Sequence, residues 1–177
     1  MMKCVRPDLL EYRSVRDLYL AFQDIFLRGA EVYADVQSCC GHTIRVFDHN
    51  FFHLVKLDDL NKPKPLLMAQ EKPIILSITD GFGPYRHDRQ RAIYLRSAAV
   101  TMSDPDEVWE DDSLNTADWT YIKEFDTTPY THTILFIAER QKEGCVVPAT
   151  SYPGRQREVR RRRKGIRIYS QNTTTTP

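Results

Sequence analysis

Two imidazoles four residues apart, His49 and His53, stand in the stretch Asp48-His49-Asn50-Phe51-Phe52-His53-Leu54-Val55-Lys56. On a helix that spacing gives both one face, with Lys56 within the next turn. On a strand the even spacing also points both to one side. Groups that titrate near neutrality can take the proton of a ribose 2′-hydroxyl and protonate a leaving 5′-oxygen, while a nearby cation holds the charge gathering on phosphorus. The pattern therefore suits RNA cleavage without a metal. A plainer reading is a core histidine pair beside Phe51, Phe52 and Leu54, and spacing taken alone favours it. A metal centre is a third reading, since His42, His49, His53 and Asp48 all carry donor atoms. No Glu follows the first histidine as in a HExxH helix, and no second carboxylate–histidine cluster stands nearby. We read no metal ion and no cofactor into the chain.

Cations and hydroxyls follow downstream. Arg86, Arg89 and Arg91 cluster near His87 and suit either a bidentate phosphate clamp or the wet face of a helix. Tyr121 and Lys123 alternate on one face of a strand, where they can line a substrate groove or, for Tyr121, pack across strands. Thr150-Ser151-Tyr152 closes a strand before Pro153-Gly154, a place where hydroxyls contact phosphate or cap turns. From Arg155 to Arg167 there are eight Lys or Arg and one Glu, a charge of +7, so with a net charge of +1 the rest of the chain sums to −6. The run Arg160-Arg161-Arg162-Arg163-Lys164 reads as an RNA-backbone contact, an import-like patch or a solvated strip, and its concentration favours a polyanion.

The elements that must carry these groups show in the periodicity. Over 8–36 the apolar residues Leu9, Leu10, Val15, Leu18, Tyr19, Phe22, Ile25, Phe26 and Val32 recur at helical steps, interrupted at Gly29. Thr43–Phe47 alternates as a strand. Asn61–Pro65 is a proline-restrained loop, Pro73–Ile78 a short buried segment and Asp80–Pro84 a turn. Arg89–Ala99 reads as a helix, Ser103–Trp109 as a helix start or turn. Three strand-like runs follow at Trp119–Phe125, Thr131–Ala138 and Cys145–Ser151, the last two joined by a turn at Glu143-Gly144. The order of helices and then antiparallel strands is an α+β layout.

At 177 residues the chain fits one domain with an extension. No run of eighteen apolar residues offers a membrane span. The start Met1–Asp8 lacks the apolar core of a secretory signal. The four cysteines, Cys4, Cys39, Cys40 and Cys145, form no CxxC pair, which suits free thiols in a reducing, cytoplasmic setting.

His49 and His53, the Arg89–Leu95 segment, Asp104-Pro105-Asp106-Glu107-Val108-Trp109, Tyr121-Ile122-Lys123 and Thr150-Ser151-Tyr152-Pro153 occur in an order that resembles the phage-associated branch of the barnase, EndoU, colicin and RelE-like nucleases. The resemblance spans residues 42–170. It implies N-terminal helices packed on a roughly four-stranded antiparallel sheet whose concave face cleaves RNA. The expected division is 1–40 as a helical extension packed on the core, 41–170 as the nuclease-like domain and, from the low-complexity run Thr173–Pro177, 171–177 as a disordered tail. The resemblance also implies catalytic roles for His49, His53, Arg91, Lys123, Thr150 and Ser151, whereas Lys56 stands where relatives often have another polar residue. Substrate contacts from Lys56, Arg89, Tyr121, Tyr152, Arg160 and Arg161 are expected from the residues themselves. The expected protein is a toxin-like, metal-independent endoribonuclease whose partners are RNA and a cognate immunity or antitoxin protein, with no membrane. A non-catalytic nucleic-acid-binding or phage interaction protein of the same fold is the alternative.

Overall fold

The computed structural model describes residues 15–55, 58–59, 85–86, 94–111, 118–127, 130–141 and 144–171. Its frame is a mixed seven-stranded sheet. Strands β1 (Tyr33–Gln37) and β2 (Thr43–Phe47) form an antiparallel hairpin around a turn at 38–42. Strands β5 (Glu107–Asp111), β6 (Asp118–Thr127), β7 (Tyr130–Arg140) and β8 (Val146–Gly154) are antiparallel neighbours in succession. Strand β9 (Ile166–Ser170) closes the β5 edge, and β2 joins β8 in parallel, giving the order β1-β2-β8-β7-β6-β5-β9. Two-residue strands β3 (Asp58–Asp59) and β4 (Tyr85–Arg86) pair separately.

Period-two alternation gives this sheet two chemically different faces. Across β5, β6, β7 and β8 the register sets Val108 beside Tyr121, Tyr121 beside Phe136 and Phe136 beside Ser151. This inner row, with Trp119, Ala138 and Val146, is buried against helix α1 (Val15–Phe22), a π turn at Gln23–Leu27, helix α2 (Asn50–Val55) and helix α3 (Leu95–Ser103). Aromatic rings dominate the contact: Phe22 lies 5.2 Å from Phe26 and 5.6 Å from Phe51, centroid to centroid. Each such side chain taken out of water stabilises the fold by about 1.5–3 kcal/mol.

Among the described residues the outer face is covered only in part. Helix α4 (Gln156–Arg162) sets Val159 on Ile122 and Leu135, with Trp109 and Tyr152 at the margin. Close approach here requires Gly154, where a Cβ would stand 2.7 Å from Leu135 Cδ1 and 3.3 Å from Val159 Cγ2. After α4 the chain must turn sharply into β9. Gly165 makes the turn at φ 78°, pressed on β5 so that a Cβ would lie 1.9 Å from the Glu110 carbonyl oxygen.

The α+β class stands, but the sheet is seven-stranded and mixed rather than a roughly four-stranded antiparallel one; β5–β8 form only its antiparallel centre. The helical N-terminal stretch is also shorter than its spacing suggests. Leu18, Phe22 and Phe26 keep the stripe to Leu27, after which Arg28 (φ 50°) and Gly29 (φ 84°) turn left-handed and end it. Tyr33-Ala34-Asp35-Val36 then alternates, burying only Val36, and becomes a strand whose hairpin crosses the 40/41 boundary. Ser103–Trp109 is a helix end, a turn and a strand, because α3 runs on to Ser103. The loop at 61–65, the segment at 73–78, the turn at 80–84 and the tail beyond 171 lie outside the described residues. Among the described residues no helix is long and apolar enough to cross a membrane.

Gly165→Ala should lower unfolding stability by about 2–3 kcal/mol, since it adds both left-handed strain and overlap with backbone. Chemical denaturation checks this; an unchanged midpoint would show that α4 and β9 are not pinned at this turn.

Candidate active site

The sheet opens where β2 meets β8. Their parallel pairing is confined to Ile44 opposite Val146, and α2 fills the gap that follows. Asn50, itself buried, locks the helix there. Its Oδ1 accepts the Phe47 backbone N–H at 2.7 Å and its Nδ2 donates to the Pro148 carbonyl at 3.4 Å. Phe51, Phe52, Leu54 and Val55 turn into the core, which leaves His53 exposed on the other side of the helix. His49, in the turn before α2, stacks on Phe47 at 5.1 Å and holds its Nδ1 3.8 Å from Asp48 Oδ1. The reading as core histidines is thereby excluded: neither imidazole is buried.

Both imidazoles line one cleft of about 840 Å³ on the outer face, together with Arg45, Phe47, Glu139 and Cys145. Arg45 is already held by Asp35, donating from Nε at 2.8 Å and Nη2 at 2.9 Å, and lies over the Tyr33 ring. That contact holds the Asp35 carboxyl below the usual carboxylate range. Arg45 is thus a fixed positive wall rather than a mobile clamp. Glu139 faces Asp118 directly across β7 and β6. Burial pushes both carboxyls up; Asp118 adds to the rise at Glu139, and the Arg162 guanidinium partly offsets it at each. A carboxyl that keeps its proton above the ordinary range, beside two imidazoles, can exchange protons with a substrate.

Strand alternation divides the residues singled out from sequence. Thr150, opposite Ile137, and Tyr152, opposite Leu135, lie on the outer face, and Tyr152 Oη accepts from Arg162 Nε at 3.4 Å. Arg160 and Arg161 are exposed on α4. Tyr121, Lys123 and Ser151 belong to the inner face and do not join the cleft. Tyr121 is fully buried, its hydroxyl 3.8 Å from Cys40 Sγ. Lys123, with its side chain 3% exposed, reaches Asp104 at 3.1 Å and Asp106 at 3.6 Å. Ser151 Oγ donates to the Leu135 carbonyl at 3.0 Å. Lys56, Arg89 and Arg91 lie outside the described residues. Among the described residues no three His, Cys, Asp or Glu side chains gather as a metal site.

Sequence reasoning missed Arg45, Asp118, Glu139 and the particular role of Arg162. The first was visible in principle: the alternation of Thr43–Phe47 opposes Arg45 and Phe47 to Ile44 and Val46. Asp118 and Glu139 cap strand-like runs at Trp119 and Ala138, and only the register shows that they face each other.

Helices buried on one face of a sheet, with acid–base groups beside a basic helix on the other, suit a domain that works on a polyanion. The family model described as phage-Barnase-EndoU-ColicinE5/D-RelE like nuclease2 matches residues 50–170, more than half of the chain, and the chain belongs to this family. The description is that of a nuclease of the barnase/EndoU/colicin/RelE type. The matched span contains His53, Glu139 and α4, and begins one residue after His49. No curated protein and no solved structure matches the chain.

The raised carboxyl of Glu139 has a signed consequence for stability. The folded state holds that proton more tightly than the unfolded chain, so stability falls as pH rises from about 4 through the raised value. Glu139→Gln removes this loss. Its stability relative to the unsubstituted protein should therefore increase with pH in denaturation curves at pH 4, 5.5 and 7. A relative decrease would contradict the burial of this carboxyl.

Proposed function

We propose that the chain is an endoribonuclease that cleaves by internal transphosphorylation without a metal ion. One imidazole of the His49/His53 pair takes the proton of a ribose 2′-hydroxyl, whose oxygen then attacks phosphorus. The bond from phosphorus to the 5′-oxygen breaks, and the second imidazole protonates that oxygen, leaving a cyclic phosphate and a 5′-hydroxyl. The observation that carries this reading is the shared cleft in which two solvent-facing imidazoles meet a carboxyl of raised pKa.

The remaining roles are assigned on the same basis. Glu139 is the group that sets or relays proton occupancy of the imidazoles. Thr150, beside cleft residue Ala149, offers a hydroxyl to phosphate, and Arg160 and Arg161 contact the RNA backbone. Arg91 remains the candidate cation for the phosphorane through the family pattern alone. Lys123, tied to Asp104 and Asp106, supports the sheet instead, and Ser151 and Tyr121 share that inner role. A toxin-like use in the cytoplasm, restrained by an immunity or antitoxin protein, belongs to the same proposal. The exposed arginines of α4 also favour a second reading, binding of nucleic acid without cleavage.

Incubation of purified protein with single-stranded RNA in EDTA separates these. Endonucleolytic products with cyclic phosphate ends are expected, and His49→Ala with His53→Ala should slow cleavage by roughly 10²–10⁴-fold. Loss of cleavage in EDTA, or an unimpaired double variant, would overturn the mechanism; salt-sensitive binding with no products would favour the second reading.

A further inference from the structure

A second cleft, of about 460 Å³, opens on the same outer face at the β5–β9 edge. None of its residues takes part in the proton transfers assigned above. Trp109 forms its apolar wall. The indole is fixed, since Nε1 donates to Glu107 Oε2 at 2.6 Å, and Glu107 is in turn held by Arg163, whose Nε donates at 2.9 Å. Directly across the strands, Arg167 of β9 is in register with Trp109. It is exposed and takes part in none of the ion pairs among the described residues. Glu124, also exposed, stands on the opposite rim.

The charges in this cleft are matched unevenly. Glu107 is engaged by Arg163, and Asp106 by Lys123. Among the described residues of the cleft, what remains is one carboxylate, Glu124, and one guanidinium, Arg167, in a cleft walled by an immobilised aromatic plate. A phosphate-binding patch would have a surplus of cations. An aromatic face with one acceptor and one donor on its rim instead fits a nucleobase: the π-face stacks, the carboxylate accepts from an amino or imino N–H, and the guanidinium reaches a ring acceptor or the adjoining phosphate.

We propose that the Trp109 cleft is a nucleobase subsite for single-stranded RNA, separate from the His49/His53 cleft and joined to it by the arginines of α4. β5 and β8 are three strand spacings apart in the sheet, about 14 Å at ~4.8 Å per step. One strand of RNA crossing the outer face therefore meets the imidazoles at one end and Trp109 a few nucleotides away. The inference extends the nuclease reading but does not require cleavage.

The test is equilibrium binding of an uncleavable 2′-O-methyl hexanucleotide to the full chain, followed by tryptophan fluorescence. The chain has two tryptophans, and Trp119 is 1% exposed in the core, so Trp109 should report the base. Binding should quench emission. Trp109→Leu should abolish the quench and weaken affinity roughly 5- to 150-fold, the range of one stacked base. Arg167→Glu, on an exposed side chain, should weaken binding in the same direction. An abasic hexamer of equal charge should bind more weakly and quench nothing. Equal affinity for the abasic strand, a quench that survives in Trp109→Leu, or full-strength binding by Arg167→Glu would overturn the subsite. Trp109-dependent binding without RNA cleavage would refute the catalytic reading and leave the subsite standing; cleavage with Trp109-independent binding would do the reverse.

Discussion

The register that sets Val108, Tyr121, Phe136 and Ser151 in one row decides which chemistry this protein can do. With that row committed to the aromatic core under α1, α2 and α3, every second residue in the middle of β6–β8 is withdrawn from solvent. Only polar members of the alternate set remain for a substrate: Asp118 and Glu124 on β6, Thr133 and Glu139 on β7, Thr150 and Tyr152 on β8. A slip of one residue would exchange the sets, putting Glu139 in the core and Phe136 in water, so the core fixes the outer face as firmly as it fixes itself.

Local devices then shape that face. The short parallel contact between β2 and β8 leaves a gap, and Asn50 ties α2 into it through two hydrogen bonds, each contributing about 0.5–1.5 kcal/mol. This is what turns His53 outward and sets it in one cleft with His49 and Glu139. On the far side, Gly154 and Gly165 let α4 and β9 press onto the sheet. Arg162 thereby stands near the Asp118–Glu139 pair, and its positive charge offsets part of the repulsion between two carboxyls directly opposed on neighbouring strands.

Much of this was legible in the sequence, and the rest was hidden for physical reasons. Strong alternation located β2 and β6–β8, and the mixed α+β class followed from their order. The imidazole pair was visible as spacing, but whether it faced core or solvent depended on which side of a six-residue helix Phe51, Phe52, Leu54 and Val55 would claim. The Tyr-x-Lys pair was read correctly as sharing a face. Which face it shared was a question of packing, and Tyr121, too well matched to Phe136 and Val108 to stay in water, took Lys123 inward with it. There the lysine is tolerated because Asp104 and Asp106 pair with it; an unpaired buried ammonium would cost several kcal/mol. The Asp118–Glu139 pair was beyond reach from sequence, since it exists only through long-range register.

RNA cleavage by two single variants, one on each face, tests the central claim most directly. His53→Ala alters the outer face and Lys123→Met the inner, with folding of each verified by circular dichroism at the assay temperature. The account predicts that His53→Ala slows cleavage at least roughly 100-fold, while Lys123→Met lowers the unfolding midpoint and, where folded, cleaves as the unsubstituted protein does. Full cleavage by His53→Ala together with inactivity of a folded Lys123→Met would move the chemistry to the inner face and contradict it.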